Sequence, residues 1–231
     1  MIISVPSDKR ITEGEWSVEQ IIAFGDSNTW GLNPTLKTRY PENVRWTGIL
    51  RSRLQRLGLL LKEEGLCGRT TVFEDPRRTG LKGSESISGI LARHPEATAA
   101  IVMLGTNDCK KAFHASAEEI GKGLERCLDA FEIRIAPERI LVVSPVALGE
   151  NVWRPEKDPE FDRKSVSVSA GLKPVYAEIA RRRKHLFLAA SDYAGASVYD
   201  DEHLNAEGHS ALADAIYRVL SGSLITKEAV I

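Results

Sequence analysis

Ile21-Ile22-Ala23-Phe24-Gly25-Asp26-Ser27-Asn28 is the stretch of this sequence that decides the fold. Its four successive apolar residues predict a short strand that is buried on both faces. The glycine ends this strand, and a serine follows almost at once. In open α/β sheets, functional sites lie at the carboxyl edge of the strands. We therefore expect Ser27 to stand at that edge.

Apolar runs of this kind recur along the chain and alternate with helical patterns. This alternation predicts an α/β fold in which helices cover both faces of a parallel sheet of about five strands. One of the runs, residues 59–62, has a second interpretation as the end of the preceding helix. The predicted strands are Ile21–Phe24, Leu59–Lys62, Ala99–Leu104, Ile140–Ser144 and Leu186–Ala189.

The helices between these strands have clearer boundary signals, such as apolar stripes at helical spacing, a capping box and good N-cap residues. The basic run Arg181–Lys184 complements the dipole at a helix C-terminus, and an anion site is its alternative interpretation. We expect Gly222 to end the last helix. The predicted helices are Val44–Leu57, one that Ser116 and Glu119 cap, Leu172–Lys184, and one from Asn205 to Leu220.

The length of 231 residues suits one large domain, and no linker rich in Ser, Gly or Pro divides the chain. We expect an N-terminal extension over residues 1–20, a single domain over residues 21–221 and a C-terminal tail over residues 222–231. Within the domain, residues 149–170 form a long, polar, proline-bearing stretch. A loop of that length is usually functional, so we expect a lid or an oligomer contact there.

The composition argues against several classes of partner and location. The chain has 31 basic and 32 acidic residues, so it offers no dominant field to a nucleic acid or a membrane surface. Residues 1–20 lack the apolar segment of a secretory signal, and no apolar run reaches membrane-spanning length. The three cysteines are an odd number without metal-like spacing, which is typical of reduced thiols. We therefore expect a cytoplasmic protein.

Three residues, one near the start of the predicted domain and two near its end, have the chemistry needed to attack an ester carbonyl. Ser27 is a nucleophile once a base is within hydrogen-bond reach. His203 is the best candidate base, because an imidazole titrates near neutrality. Asp200 lies three residues before His203 and can accept from its other ring nitrogen, which fixes the tautomer. The adjacent Asp201 is the competing acid, at a less suitable spacing.

The oxyanion of such a reaction needs hydrogen-bond donors. The backbone N–H of Ser27 is available at the strand-to-helix turn. Gly68 can supply a second N–H, since a residue without Cβ lets the substrate approach closely. Asn107, in the motif Gly105-Thr106-Asn107-Asp108 after another apolar run, supplies a side-chain amide. One such donor is typically worth about 3 kcal/mol of transition-state stabilisation.

Ser27, Gly68, Asn107 and His203 occur in the order of the four namesake residues of the SGNH (GDSL-type) hydrolases, which the chain resembles from about Ile21 to Leu220. Phe24–Gly31, Arg45–Gly48 and Met103–Asp108 are similar to the intracellular arylesterase and acyltransferase branch. The resemblance implies a flavodoxin-like three-layer α/β/α sandwich, a Ser-His-Asp triad without metal or other cofactor, and small acyl esters as substrates. It also implies a homo-oligomer and, in some members, acyl transfer to alcohols or peroxide.

Further residues are candidates for binding the substrate or lining its pocket. Asn28 stands where many members of the family have leucine, and Thr106 belongs to the Asn107 motif. Trp30 either lines the acyl pocket or is part of the core. Lys110 either meets a substrate carbonyl or faces solvent. Trp153, together with Phe161, is a candidate wall residue from the stretch 149–170.

Other residues and other functions have simpler interpretations. Asp26 and Asp108 are expected to hold their loops by bonding backbone N–H groups, and His209 is expected to be structural. A metal site around Asp200 and His203 lacks a second histidine or cysteine at a ligand-like spacing. The same triad also suits acetylated sugars or thioesters. A non-catalytic, mononucleotide-binding module lacks a Gly-rich phosphate loop after the first strand.

Overall fold

The computed structural model describes residues 19–225, and side chains as far as residue 223. Its centre is a sheet of five parallel strands in the order β2-β1-β3-β4-β5, the order of flavodoxin-like folds. This confirms the predicted α/β class. The strands are β1 (Gln20–Gly25), β2 (Leu60–Gly65), β3 (Ala97–Met103), β4 (Ile140–Ser144) and β5 (Leu186–Ala189).

Helices cover both faces of this sheet, and successive strand residues alternate between two cores. Ile22 and Val102 pack with α3, α4 and α5 on one face, whereas Ile21 and Ile101 pack with α2 and α6 on the other. The result is the predicted three-layer sandwich. The helices are α1 (Ser27–Trp30), α2 (Trp46–Gln55), α3 (Gly83–Arg93), α4 (Ala117–Glu132), α5 (Arg163–Arg183) and α6 (Ala206–Leu220).

The second strand settles the ambiguity about residues 59–62. Leu60–Gly65 pairs with β1 residue by residue, from Gln20 opposite Leu60 to Gly25 opposite Gly65. The stretch is therefore a strand and not the end of a helix. Its mixed polarity follows from its position at the edge of the sheet, where only Leu61 is fully buried.

Three expectations about helices need correction. The Gly83–Arg93 helix was not predicted. The helix α5 begins at Arg163, because Asp162 and Ser165 form a capping box, so residues 163–170 are helical and not part of a loop. Gly222 does not end the last helix, since the chain continues through it in a π-helical turn, Ser221–Ile225.

Two glycines let the first helix approach the sheet. Gly25 and Gly65 face each other at the carboxyl ends of β1 and β2. A Cβ on Gly65 would collide with the backbone of Trp30, and one on Gly25 would collide with Thr29 and the carbonyl of Met103. The short helix α1 therefore packs directly over the strand ends, which brings Ser27 to the carboxyl edge of the sheet.

The predicted N-terminal extension and C-terminal tail fall mostly outside the described residues, namely over residues 1–18 and 226–231. Between residues 19 and 225, none of the helices combines the length and the apolar character that crossing a membrane would need.

Candidate active site

The serine at the end of β1 is held by a local turn. Ser27 is the first residue of α1, and Asp26 caps that helix by accepting the Asn28 N–H at 3.0 Å. The Asp26 carboxyl is buried, and burial raises its pKa to about 7. Asp26 thus has the loop role expected for it, and Ser27 begins the helix with its hydroxyl free to meet a partner.

A continuous chain of hydrogen bonds joins the three predicted triad residues. The Ser27 Oγ lies 2.8 Å from His203 Nε2, and the His203 Nδ1 lies 2.9 Å from Asp200 Oδ2. All three residues are buried. The geometry is that of a nucleophile bonded to a base, with the base oriented by a carboxylate.

Asp200 also holds the turn that carries His203. The second oxygen of Asp200 accepts the backbone N–H groups of Glu202 at 3.2 Å and of His203 at 3.0 Å. Asp201, the competing acid, has φ +57° and turns away, where it accepts the Asn151 N–H and pairs with Lys157. Asp200 is therefore the aspartate that the structure brings to the imidazole.

Charges around His203 favour its protonated form. Burial alone would lower its pKa, but the negative charge of Glu202 and the hydrogen bond to Asp200 outweigh burial and hold the pKa above its ordinary value. Burial acts in the opposite sense on Asp200, yet the bond from His203 and that from Lys37 keep its pKa well below the usual range. The imidazolium that forms in a proton transfer is thus stabilised.

Two of these neighbours were missed in the sequence. Lys37 donates to Asp200 Oδ2 at 3.0 Å from a loop 163 residues earlier, so no local pattern indicates it. Glu202 is buried, and its Oε2 lies 3.6 Å from His203 Nδ1. Its position between Asp200 and His203 was the available signal, because a residue inside that turn must lie close to the ring.

The three candidate oxyanion donors differ in how fully they are used. Within residues 19–225, no protein group accepts the backbone N–H of Ser27 or of Gly68. Asn107 donates one of its two amide hydrogens to the carbonyl of Arg69 at 3.1 Å, which leaves the other. The same bond ties Asn107 to the residue after Gly68. Gly68 itself has φ +83°, which favours glycine.

Arg69 fixes this loop to the sheet. Its buried guanidinium donates to the carbonyls of Gly25, at 2.8 Å, and Glu64, and it lies 4.3 Å over the ring of Phe24. Burial lowers its pKa to about 10. One side chain therefore connects the ends of β1 and β2 to the Gly68 loop, a role that sequence reasoning did not assign.

Three of the residues predicted to bind substrate differ in their contacts within the protein. The amide of Asn28 accepts the Leu204 N–H at 2.9 Å and contacts the Glu202 carbonyl, so it holds the His203 loop. Thr106 is buried, and its hydroxyl has no partner among residues 19–225. Trp30 is partly buried, with the Arg39 guanidinium 5.4 Å from its ring.

The side chain of Lys110 does not face solvent, and it lies in an ion-pair cluster. It is buried and pairs with Glu160 at 2.5 Å, while Asp75 lies 3.8 Å away. Arg78 joins both acids, at 3.3 Å from Glu160 and 2.9 Å from Asp75. A Cβ on Gly68 would lie 3.2 Å from the Arg78 guanidinium, so this ion-pair cluster abuts the Gly68 loop.

The segment 149–162 is anchored to the body of the domain. Its Phe161 belongs to the core and is not a wall residue. Trp153 donates its indole N–H to the Glu150 carbonyl and lies under the Arg163 guanidinium at 4.4 Å. The Glu160 carbonyl accepts the Lys111 N–H at 3.0 Å, close to the Asn107 turn.

Two further polar residues have the structural surroundings expected for them. The buried Nδ1 of His209 accepts the Trp46 N–H at 3.3 Å, and burial lowers the pKa of His209 to about 3. Asp108 accepts the N–H and hydroxyl of Thr71, and burial raises the pKa of Asp108 to about 6. Over residues 19–225, the structure contains no group of three or more His, Cys, Asp or Glu side chains that could hold a metal ion.

Comparisons with protein families and with solved structures both match this chain to esterases and acylhydrolases. Residues 23–211 match the model of the GDSL-like lipase/acylhydrolase family. Est24, a carbohydrate acetylesterase from Sinorhizobium meliloti, is 34% identical, with 88% of this chain and 99% of that chain covered and a TM-score of 0.80. The native aryl esterase of M. smegmatis is 29% identical, with 89% and 100% covered and a TM-score of 0.79. A search of curated proteins found no match.

Proposed function

We propose how this chain, which belongs to the GDSL-like lipase/acylhydrolase family and is an SGNH-type esterase, acts on its substrates. In this proposal it hydrolyses small acetyl and aryl esters through an acyl-enzyme. The observation that carries the proposal is the hydrogen-bonded chain from Ser27 through His203 to Asp200, at 2.8 and 2.9 Å. This chain supports the assignment of Ser27 as nucleophile, His203 as base and Asp200 as orienting acid.

Acylation begins when Ser27 Oγ attacks the ester carbonyl carbon and His203 Nε2 takes the hydroxyl proton. The carbonyl oxygen becomes an oxyanion, which the N–H groups of Ser27 and Gly68 and the amide of Asn107 stabilise. His203 then gives its proton to the leaving alkoxide as the bond between carbonyl carbon and alcohol oxygen breaks. Asp200 holds the imidazolium throughout this step.

Deacylation repeats these steps with water in place of the serine. His203 takes a proton from water, whose oxygen attacks the acyl carbon, and returns it to Ser27 Oγ as the acid leaves. An alcohol that enters in place of water would give a new ester instead. Acyl transfer is therefore part of the proposal, and added ethanol tests it by forming the ethyl ester in competition with the acid.

The decisive experiment compares wild type and Ser27→Ala on p-nitrophenyl acetate, with intact-mass detection of the protein. We expect turnover and a transient acetyl adduct in wild type, and neither in the variant at unchanged melting temperature. Ser167→Ala is the matched control, since that serine lies on an exposed position of α5 and bonds only to its own helix. Turnover by Ser27→Ala equal to wild type would overturn the proposal.

A second candidate, a carbohydrate acetyl esterase with the same triad, is supported by the 34% identity to Est24, which is described as a carbohydrate acetylesterase. Rates on aryl esters of increasing acyl length and on acetylated xylo-oligosaccharides separate the two. A steep fall with acyl length together with low sugar-ester activity favours the arylesterase. The rate on an acetyl thioester, measured in the same series, tests the remaining alternative, a thioesterase with the same triad.

The domain limits, assembly and location complete the proposal. We expect residues 21–221 to form one cooperative unit and the chain to form a homo-oligomer, which light scattering after gel filtration measures. Exposed apolar side chains on the segment that leads to Asp200, those of Val198 and Tyr199, support a contact surface there. The free cysteines are consistent with a cytoplasmic protein.

A further inference from the structure

The carboxylate of Glu202 lies beside the ring of His203 and takes no part in the mechanism above. Its Oε2 is 3.6 Å from Nδ1, the nitrogen that donates to Asp200 at 2.9 Å. Glu202 is 6% exposed, and within residues 19–225 no N–H or O–H group donates to its carboxylate. A buried carboxylate without donors is costly, so a nearby positive charge is the compensation that it needs.

We propose that Glu202 is a positioning residue for His203, a second carboxylate that stabilises the imidazolium. It also accepts the hydrogen bond from Nδ1 when the carboxylate of Asp200 is absent. The inference rests on the proposed function, because it concerns the base of that reaction. At 3.6 Å the carboxylate is too far for a hydrogen bond but within reach after a small side-chain rotation. Its charge raises the pKa of the ring, and solvent screens this effect less than at an exposed site because both groups are buried.

The other groups that face His203 are already engaged or act differently. Asp26, at the end of β1, caps α1. His209, on α6, stays neutral because burial lowers its pKa to about 3. The ammonium group of Lys37 is engaged in its hydrogen bond to Asp200, where its positive charge offsets part of the negative charge of that carboxylate. The pKa of Glu202 lies above its ordinary value, because burial and the charges of Asp158 and Asp200 raise it more than His203 and Lys110 lower it. The charge of His203 favours the ionised form of Glu202 and the charge of Glu202 favours the protonated ring, so the two groups stabilise each other's charges.

The first test is the pH dependence of kcat/KM for p-nitrophenyl acetate in wild type, Glu202→Gln and the control Glu207→Gln. Glu207 is an exposed carboxylate in the first turn of α6. Loss of a charge in contact with the ring is expected to lower the midpoint of the acid limb by about one pH unit. Activity one unit below the wild-type midpoint should then rise about fivefold. Glu207→Gln should keep the wild-type midpoint.

An NMR titration of the His203 ring measures the same shift without turnover. Comparison with His203→Asn assigns the resonance among the five histidines. The pKa of His203 should fall in Glu202→Gln and not in Glu207→Gln. If both the ring titration and the acid limb stay at wild-type values in a folded Glu202→Gln, the inference is wrong even though the esterase proposal stands.

The second test asks whether Glu202 replaces Asp200. Serine hydrolases that lose the triad aspartate to asparagine fall about 10⁴-fold in kcat. We expect Asp200→Asn to lose only roughly 10²-fold, and the double variant with Glu202→Gln to lose at least tenfold more. Equal activity of the single and double variants would contradict the second carboxylate role. Failure of wild type to acylate Ser27 would instead count against the proposed function.

Discussion

The two sides of the Ser27 hydroxyl are built in different ways. On the proton-transfer side, Asp200 and His203 belong to one turn, which the aspartate folds by accepting two backbone N–H groups. On the oxyanion side, Asn107 reaches the Gly68 loop by a bond to Arg69, 38 residues away in sequence. The first side is therefore encoded locally, whereas the second depends on contacts between distant segments.

This difference indicates how each side should respond to mutation. A local turn keeps its geometry as long as its few residues are intact. The oxyanion side is held by Arg69, Arg78 and the ion pair of Lys110 with Glu160, which come from separate loops. Substitutions far from Ser27 should therefore reach the oxyanion donors more readily than the base.

The largest effect is expected on the proton-transfer side, where two buried histidines lie six residues apart. His203→Asn removes the base and should lower kcat at least about 10⁴-fold with little change in melting temperature. His209→Leu removes the acceptor of the Trp46 N–H and should destabilise the fold by about 1–3 kcal/mol. Activity per folded molecule should survive in that variant. Calorimetry and active-site titration of both variants check the contrast, and equal losses of activity would contradict it.

The next effect tests the oxyanion side directly. Asn107→Ala removes one candidate donor and should lower kcat about 10²- to 10³-fold with KM nearly unchanged. Asn107→Asp should be worse than alanine, since a carboxylate repels the developing oxyanion. Steady-state kinetics on p-nitrophenyl acetate measure both variants, with the exposed Asn43→Ala as control. A rise in KM at constant kcat would mean that Asn107 binds the ground state instead.

A smaller effect should reach the same donors from a distance. Glu160→Gln weakens the cluster that abuts the Gly68 loop and is expected to lower kcat roughly tenfold, as a small misplacement of donors does. Lys110→Met should lower kcat by a similar factor. The double variant should have nearly the same kcat as each single variant, because each substitution removes the same ion pair.

The control for this cluster is Lys111→Met, which changes the exposed neighbour of Lys110. Kinetics of the three variants and the double variant complete the cycle. Fully additive losses would show that Lys110 and Glu160 act separately, and the oxyanion side would then be less dependent on long-range contacts than the comparison indicates.

The same comparison explains how much of the molecule its sequence predicts. Four of the strands were predicted from continuous apolar runs, which are typical of strands buried between two layers. The edge strand β2, of mixed polarity, had a second interpretation as a helix end until its pairing with β1 was seen. Asp200 was preferred over Asp201 from spacing alone, and the structure places it against the imidazole. These features depend on near neighbours, and near neighbours are what a sequence displays.

Contacts between distant segments were beyond such reasoning. Lys110 was expected to meet either substrate or solvent, yet it pairs with Glu160, 50 residues further along the chain. Asn28 was assigned to the substrate, but its amide holds the loop around Leu204, which is 176 residues away. Nothing in the residues next to Lys110 or Asn28 identifies these partners, because only the packed loops bring them together.

The smallest effect concerns the pH dependence of the free energy of unfolding, to which His209 and the buried aspartates contribute with opposite signs. The folded pKa of His209 is about 3, below the ordinary 6.5, so the unfolded chain binds more protons between these values. The contribution of this histidine is therefore complete above pH 6.5 and is lost as pH falls. The folded pKa values of Asp26 and Asp108, about 7 and about 6, lie above the ordinary value. Their contribution is instead lost as pH rises.

Removing His209 should isolate these opposing contributions. The melting temperature of wild type minus that of His209→Asn should increase from pH 5 to pH 6.5 and level off above it, because only wild type carries His209, whose burial favours the neutral ring. The corresponding slope of the free energy of unfolding is bounded by about 1.4 kcal/mol per pH unit. Thermal unfolding followed by circular dichroism measures the difference. A difference independent of pH would mean that His209 has the same pKa in the folded and the unfolded chain, and burial would then not hold it neutral in the fold.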